Sequence, residues 1–213
     1  MNERQDNRRF WDRYAKLYDW EVLRYSGPAY AEMYRSMRRV LAPQMRVLEL
    51  ATGTGLIALN IADAVQSVDA TDYSPKMIAA AQRKPAPANL RFSVADAMEL
   101  PFAKGSFDAV IISNALHIMP SPEGALESIR RVLKPGGLLI APSFTHGHLG
   151  EAGWRLTTAF LKIFGLASYA KWTPEEYVAF IGRQGFAVES WRVLKAAFPL
   201  VYLEARLHKP GTE

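Results

Sequence analysis

Arg46-Val47-Leu48-Glu49-Leu50-Ala51-Thr52-Gly53-Thr54-Gly55-Leu56-Ile57-Ala58-Leu59-Asn60-Ile61-Ala62 is the stretch on which the fold turns. Val47 to Leu50 is a short apolar run that reads as a buried strand. Gly53 and Gly55 open backbone conformations barred to other residues, and Leu56 to Ala62 has helix-forming composition. A strand, a glycine turn and a helix in succession gather free amide N–H groups at a helix N-terminus, where a nucleotide-like cofactor can approach the backbone closely. The spacing Gly53-x-Gly55-x-x-Ala58 satisfies the loose dinucleotide fingerprint, whose third position admits alanine.

Glu49 narrows the choice. A carboxylate at the end of this strand repels a pyrophosphate but attracts an ammonium, or accepts a hydrogen bond from a ligand N–H. About twenty residues on, Ser67 to Thr71 reads as a second strand ending in Asp72, placed to accept hydrogen bonds from ribose hydroxyls. Two carboxylates flanking a ligand that carries a ribose and a positive charge, but no phosphate, fit S-adenosylmethionine.

Val47-Leu48-Glu49-Leu50-Ala51-Thr52-Gly53-Thr54-Gly55 followed by Asp72-Tyr73-Ser74-Pro75-Lys76-Met77 resembles the class I S-adenosylmethionine-dependent methyltransferases. The resemblance continues through Val94-Ala95-Asp96-Ala97, Pro101-Phe102, Ser106 to Val110 and Leu133-Lys134-Pro135-Gly136-Gly137, and is greatest to the branch of ubiquinone and menaquinone biosynthesis methyltransferases. It covers roughly residues 40 to 142. It implies cofactor contacts at Glu49, Ala51, Thr52, Gly53, Gly55, Asp72, Tyr73, Met77, Asp96, Ala97 and Ser113. In it the Asp96 carboxylate faces the adenine amino group and the Ala97 backbone faces the ring; alternatively, Asp96 caps the next turn. The family's usual first glycine is Ala51 here.

The chain has 213 residues, 49% of them hydrophobic and 11% aromatic, enough for a full core in one globular unit. Its net charge of +5 arises from 26 basic and 21 acidic residues interleaved without a long basic block. That pattern is a solvated mixed surface, and no nucleic-acid partner is expected. The absence of cysteine excludes disulfides, thiolate catalysis, cysteine-ligated zinc and the cysteine route to pyrimidine C5 methylation, and no metal site is expected. With neither a signal peptide nor an apolar span near twenty residues, the expected location is the cytoplasm. Arg4, Arg8, Arg9 and Arg13 beside Phe10 and Trp11 leave peripheral contact with an anionic membrane open.

Along the chain, residues 1–41 read as N-terminal helices, 42–141 as the cofactor-binding core, 142–173 as a cap insertion and 174–213 as a C-terminal helix and hairpin. Phe10, Tyr14, Leu17 and Tyr18 recur at helical spacing with Trp11 alongside. Gly27-Pro28 interrupts the pattern, and Ala29 to Leu41 resumes it. Ser74-Pro75 and Thr173-Pro174-Glu175-Glu176 are helix starts. Phe107 to Ser113 is the most apolar strand candidate and empties into Asn114-Ala115-Leu116-His117. Ser113, Asn114 and His117 are therefore pocket candidates, His117 also admitting a purely structural role. Glu123 to Leu133 reads as a helix, Pro135-Gly136-Gly137 as a turn and Leu138 to Ala141 as a strand. The alternation from 47 to 141 demands parallel strands joined by right-handed crossovers. The expected architecture is an α/β, Rossmann-like doubly wound sheet of seven mostly parallel strands, with an antiparallel C-terminal strand and helical cap additions.

Methyl transfer from a sulfonium is an in-line displacement with an already activated donor, so the protein mainly aligns the reactants and excludes water. His117, His146 and His148 have the pKa range of a base for an acceptor that holds its proton tightly, and Tyr18 is placed to orient the acceptor. Trp11, Tyr14, Tyr18, His117, Phe144 and Trp154 are the expected walls of a pocket for a small, partly apolar acceptor with an oxygen, nitrogen or sulfur nucleophile. The competing readings are headgroup N-methylation of a phospholipid at a membrane surface, a non-catalytic S-adenosylmethionine-binding module, and a nicotinamide-dependent dehydrogenase, which Glu49 disfavours. Oligomeric state stays open.

Overall fold

The computed structural model describes residues 3–145, 170–196 and 199–208. Two helices, α1 (Glu3–Tyr14) and α2 (Tyr18–Val40), precede β1 (Arg46–Leu50), α3 (Leu56–Ile61), β2 (Ser67–Asp72), α4 (Pro75–Ala81) and β3 (Leu90–Val94). Then follow β4 (Phe107–Ile112), α5 (Pro122–Val132), β5 (Leu133–Ile140), β6 (Ser143–Phe144), α6 (Pro174–Arg183), β7 (Phe186–Leu194) and β8 (Leu200–Leu207). β1 to β5 are parallel, and β8 runs antiparallel between β5 and β7. The spatial order is β3-β2-β1-β4-β5-β8, so the chain winds outward from β1 in both directions and leaves a crevice where the order reverses. Among the described residues the sheet has eight strands rather than the expected seven, because the two-residue β6 pairs with β8 beyond the end of β5.

Alternation along β1 distributes the two cores. Leu48 and Leu50 join the cluster built with α5 and α6, around Leu126, Ile129, Tyr177 and Phe180. Val47 faces the other way, into Met33, Met37, Ile57 and Ile61 of α2 and α3. A period of two places Glu49 on that second face, beneath α2. The Thr173 capping box forms as the sequence predicts, with Thr173 Oγ1 accepting from the Glu176 N–H (3.2 Å) and Glu176 Oε2 accepting from the Thr173 N–H (2.8 Å). Ser74 likewise caps α4, accepting from the Met77 N–H at 3.1 Å.

Two local expectations are corrected. Gly27-Pro28 does not break the helix: α2 runs through Pro28, and the break falls at residues 15–17 instead. Pro28 is exposed, while Ser26, Ala29, Tyr30, Met33 and Met37 form one continuous buried stripe whose packing outweighs the missing backbone bond. The Pro135-Gly136-Gly137 segment is not a free turn before a strand. β5 begins at Leu133, paired with Phe107, and the ladder then jumps to Ala109 opposite Leu138, so the segment is an irregularity inside the strand.

Candidate functional site

The carboxyl ends of β1 to β4 deliver four loops to one cleft enclosing about 930 Å³, open solvent included, within the range of small-molecule sites. Ala51 and Gly53 come from the first loop, Asp72 to Ser74 from the second, Ala95 to Met98 from the third and Ser113 to Ala115 from the fourth. Met77 of α4 adds an apolar wall, and Arg8, Trp11 and Tyr18 of the N-terminal helices close the side.

The first loop is held open by left-handed backbone at Ala51 (φ 51°), Gly53 (φ 58°) and Gly55 (φ 80°). Asp72 braces it: Oδ2 accepts from the Gly53 N–H and Oδ1 from the Ser74 N–H, both at 2.8 Å. Burial pushes the Asp72 carboxyl up to about 6, the two amides pulling it back, so it is charged at neutral pH. A carboxylate has about four acceptor positions, so lone pairs remain for ligand hydroxyls. Ala51 occupies a conformation that costs a side-chain-bearing residue ~1–2 kcal/mol. Glycine there regains that but adds ~0.4–1 kcal/mol of unfolded-state freedom. Ala51→Gly should therefore stabilise the protein by about 0.5–1 kcal/mol in urea denaturation, and a loss of stability would contradict the strain.

Behind the loop, Glu49 is 2% exposed and burial pushes its carboxyl up to about 8. Its Oε2 is buried without a hydrogen-bond partner, as is Ser113 Oγ, while the Thr52 hydroxyl and the Ala58 N–H bond the carboxyl and pull it back down. Unpaired buried polar atoms are costly, so two of them at the ends of neighbouring β1 and β4 are what a site built for a polar ligand displays. Tyr18, Tyr30 and Tyr34 of α2 face Glu49, and burial raises the pKa of all three, so they are uncharged hydroxyl donors at physiological pH. Tyr18 and Tyr30 share a hydrogen bond, and Asn114 Nδ2 donates to Tyr30 Oη at 3.2 Å. Asn114 is itself left-handed (φ 53°), its Oδ1 accepting from the Phe144 N–H at 3.0 Å, which fixes the amide's orientation.

Two aspartates fasten the N-terminal helices to the loops. Asp12 of α1 accepts from Ser74 Oγ (2.5 Å) and the Lys76 N–H (3.4 Å). Asp19 of α2 accepts from Thr54 Oγ1 and pairs with Lys84 Nζ at 2.6 Å. A Cβ on Gly53 would lie 3.5 Å from the Tyr18 ring, so α2 rests directly on the glycine turn.

Of the residues read from sequence, Ala51, Gly53, Asp72, Tyr73, Met77, Asp96, Ala97, Ser113, Trp11 and Tyr18 line the cleft. Asp96 also caps its own turn, accepting from the Met98 N–H at 2.9 Å. Glu49, Thr52 and Gly55 are not in the cleft wall; Glu49 and Thr52 lie behind the loop, and Gly55 faces Phe92. Tyr14 is also outside it, in ring contact with Phe10, Trp11 and Tyr18. Leu17 is 60% exposed and does not dock the helix. His117 Nδ1 sits 3.3 Å from Ser143 Oγ, and neither His117 nor Phe144 lines the cleft, which moves the expected base and one aromatic wall away from it. His146, His148, Trp154 and most of the expected cap lie outside the described residues. Tyr30, Asp12 and Asp19 escaped sequence reasoning. Tyr30 is indistinguishable from the apolar stripe in which it stands, and the aspartates read as ordinary solvated helix charges.

Residues 48–141 match the family model described as a methyltransferase domain. That stretch is similar to methyltransferase domains. The chain superposes on the methyltransferase of a complex with the Haloferax volcanii Trm112 methyltransferase activator with a TM-score of 0.83 at 18% identity, covering 97% of this chain and 100% of that one. For the DhpI–SAH complex the TM-score is 0.74 at 23% identity, with 96% of each chain covered. In sequence, the chain is 36% identical over 137 residues to a demethylmenaquinone methyltransferase of Renibacterium salmoninarum, 64% of this chain and 57% of the relative. The chain thus spans about half the length of the curated relatives it matches.

Proposed function

We propose that the chain is an S-adenosylmethionine-dependent methyltransferase whose acceptor is a small, partly apolar molecule. The observation that carries this reading is the buried, unpartnered Glu49 Oε2 behind a glycine turn braced by Asp72. That pair suits a cationic amino-acid end and a ribose and offers nothing to a pyrophosphate, which weighs against a nicotinamide cofactor. Ser113 on the cleft wall, with Glu49 and Thr52 reached past the first loop, would satisfy the polar amino-acid end, Asp72 the ribose hydroxyls, and Asp96 with the Ala97 backbone the adenine. When bound, S-adenosylmethionine supplies an electrophilic methyl carbon on a sulfonium.

The protein's own residues bind, orient and exclude water. Tyr18, kept protonated, donates a hydrogen bond rather than accepting a proton, so its role is to hold an acceptor oxygen in place. Trp11, Met98, Ile118 and Met119 give the cleft its apolar character. The name of the relatives, demethylmenaquinone methyltransferase, supports a quinone-like ring as the acceptor class, so that an electron-rich ring carbon joins oxygen, nitrogen and sulfur as a candidate nucleophile. Calorimetry with S-adenosylmethionine, S-adenosylhomocysteine and NAD side by side, followed by turnover with a panel of hydroxylated quinols, tests the proposal. Binding of NAD alone would overturn it, and cofactor binding without turnover on any acceptor would leave only a binding module.

Glu49 adds a signature. With its carboxyl up near 8, the free protein holds this proton at neutral pH. Asp72, Tyr18, Tyr30 and Tyr34 face it and supply no positive charge. A ligand ammonium brought against Glu49 stabilises the ionised form and lowers its pKa, so binding near pH 7 should release about one proton. Release should fade as pH rises through about 8, where the free carboxyl has already ionised. Calorimetry in buffers of different ionisation enthalpy reads this directly. Glu49→Gln should abolish the buffer dependence, and its persistence in that variant would place the proton elsewhere.

A further inference from the structure

We infer that the outer face of the first two turns of α2 is a docking surface for an anionic lipid bilayer. Leu17, Trp20, Leu23 and Tyr25 are 60%, 62%, 56% and 56% exposed, four large apolar side chains within nine residues of sequence. Leu17, Trp20 and Leu23 recur every third residue and share one side of the helix, opposite Tyr18 and Val22, which turn inward. The Tyr25 ring meets Trp20 edge-on at 6.2 Å, and the Arg24 guanidinium lies 5.5 Å from the Tyr25 ring centroid. Contiguous exposed apolar side chains of this size are unusual on a monomer and mark an interaction surface.

The charge around the patch selects the occupant. Between residues 8 and 25 the exposed ionisable side chains are Arg8, Arg9, Arg13, Lys16 and Arg24 against one acid, Glu21. Asp12 and Asp19 of the same helices are turned onto Ser74 and onto Thr54 and Lys84. Trp and Tyr with flanking Lys and Arg is the composition that settles at a headgroup interface, apolar rings below and cations at phosphate level. Among the described residues no helix is long and apolar enough to cross a membrane, so this contact is peripheral. The inference deepens the methyltransferase reading by giving the apolar acceptor a source. α1 and α2 also carry Trp11 and Tyr18 on the cleft wall, so an acceptor dissolved in the bilayer lies about one helix diameter, ~10 Å, from the cleft.

Sedimentation at physiological salt tests it, with vesicles of phosphatidylglycerol and phosphatidylcholine in equal parts and vesicles of phosphatidylcholine alone. Wild type should pellet with the anionic vesicles and stay in solution with the neutral ones. Trp20→Glu combined with Leu23→Glu should weaken that partition by at least about tenfold. Unchanged S-adenosylhomocysteine binding would show the variant folded. Wild type that fails to pellet, or a double variant that pellets equally, overturns the proposal. So does a wild-type dimer in light scattering that the double variant splits, because the patch then belongs to a second copy. Neither cofactor nor acceptor enters the vesicle assay, so its failure leaves the methyl-transfer reading standing.

Discussion

Gly55→Ala is expected to cost about 2–5 kcal/mol of stability, read as a lowered urea midpoint with an unchanged slope. Two effects add. Gly55 sits at φ 80°, where a Cβ costs ~1–2 kcal/mol in backbone strain. That Cβ would also lie 2.7 Å from both Cε1 and Cζ of Phe92, a half-buried ring packed into the α2–α3 core, and displacing a packed ring costs ~1–3 kcal/mol. A double-mutant cycle separates the two. With Phe92 already replaced by alanine, Gly55→Ala should cost only the backbone share of ~1–2 kcal/mol. A single variant losing less than ~1 kcal/mol would mean that the turn relaxes around the methyl group and that close approach of β3 to the loop is no constraint.

The same turn shows why part of the site was legible in the sequence. Gly53, Gly55, Asp72 and Asp96 stand at the ends of strands whose apolar runs give their direction, and parallel winding then brings those ends to one edge. Position along the chain is sufficient for them. The N-terminal half of the site is different, because its residues reach the cleft through helix packing that no local pattern specifies. Gly27-Pro28 is a valid helix-break signal, yet the buried stripe from Ser26 to Met37 carries α2 across it, and that continuity brings Tyr30 to Asn114 in register with Tyr18. His117, for which a structural role stood beside a catalytic one, is placed by packing of the same kind. It follows the right strand, but the short helical turn at Leu116–Ile118 directs the ring to Ser143 rather than into the cleft.

Asp12 and Asp19 give this packing a functional meaning. Each spans from an N-terminal helix to the loop after β2 or β1, so the helical wall and the glycine turn are mechanically joined. The long, exposed hydrogen bond from the Lys76 N–H to Asp12 and the half-exposed Asp19–Lys84 ion pair are individually worth little in water. Their effect is geometric, holding Trp11 and Tyr18 over the cleft.

Asp72→Ala should weaken binding of S-adenosylhomocysteine tenfold or more, the equivalent of one or two hydrogen bonds to a buried ligand at roughly 1–3 kcal/mol. The loss has two possible origins, because the carboxylate that would accept from the ribose also holds the Gly53 and Ser74 amides at 2.8 Å. Removing it leaves both N–H groups without an acceptor and loosens the turn, which by itself weakens every ligand of the cleft. A ligand lacking both ribose hydroxyls separates contact from positioning. Against wild type, 2′,3′-dideoxy-S-adenosylhomocysteine should bind about tenfold or more weakly than its parent, and against Asp72→Ala the two should bind alike. If the parent keeps its full advantage in the variant, Asp72 acts only as a brace for the loop, and the ribose hydroxyls must find their acceptor elsewhere in the cleft.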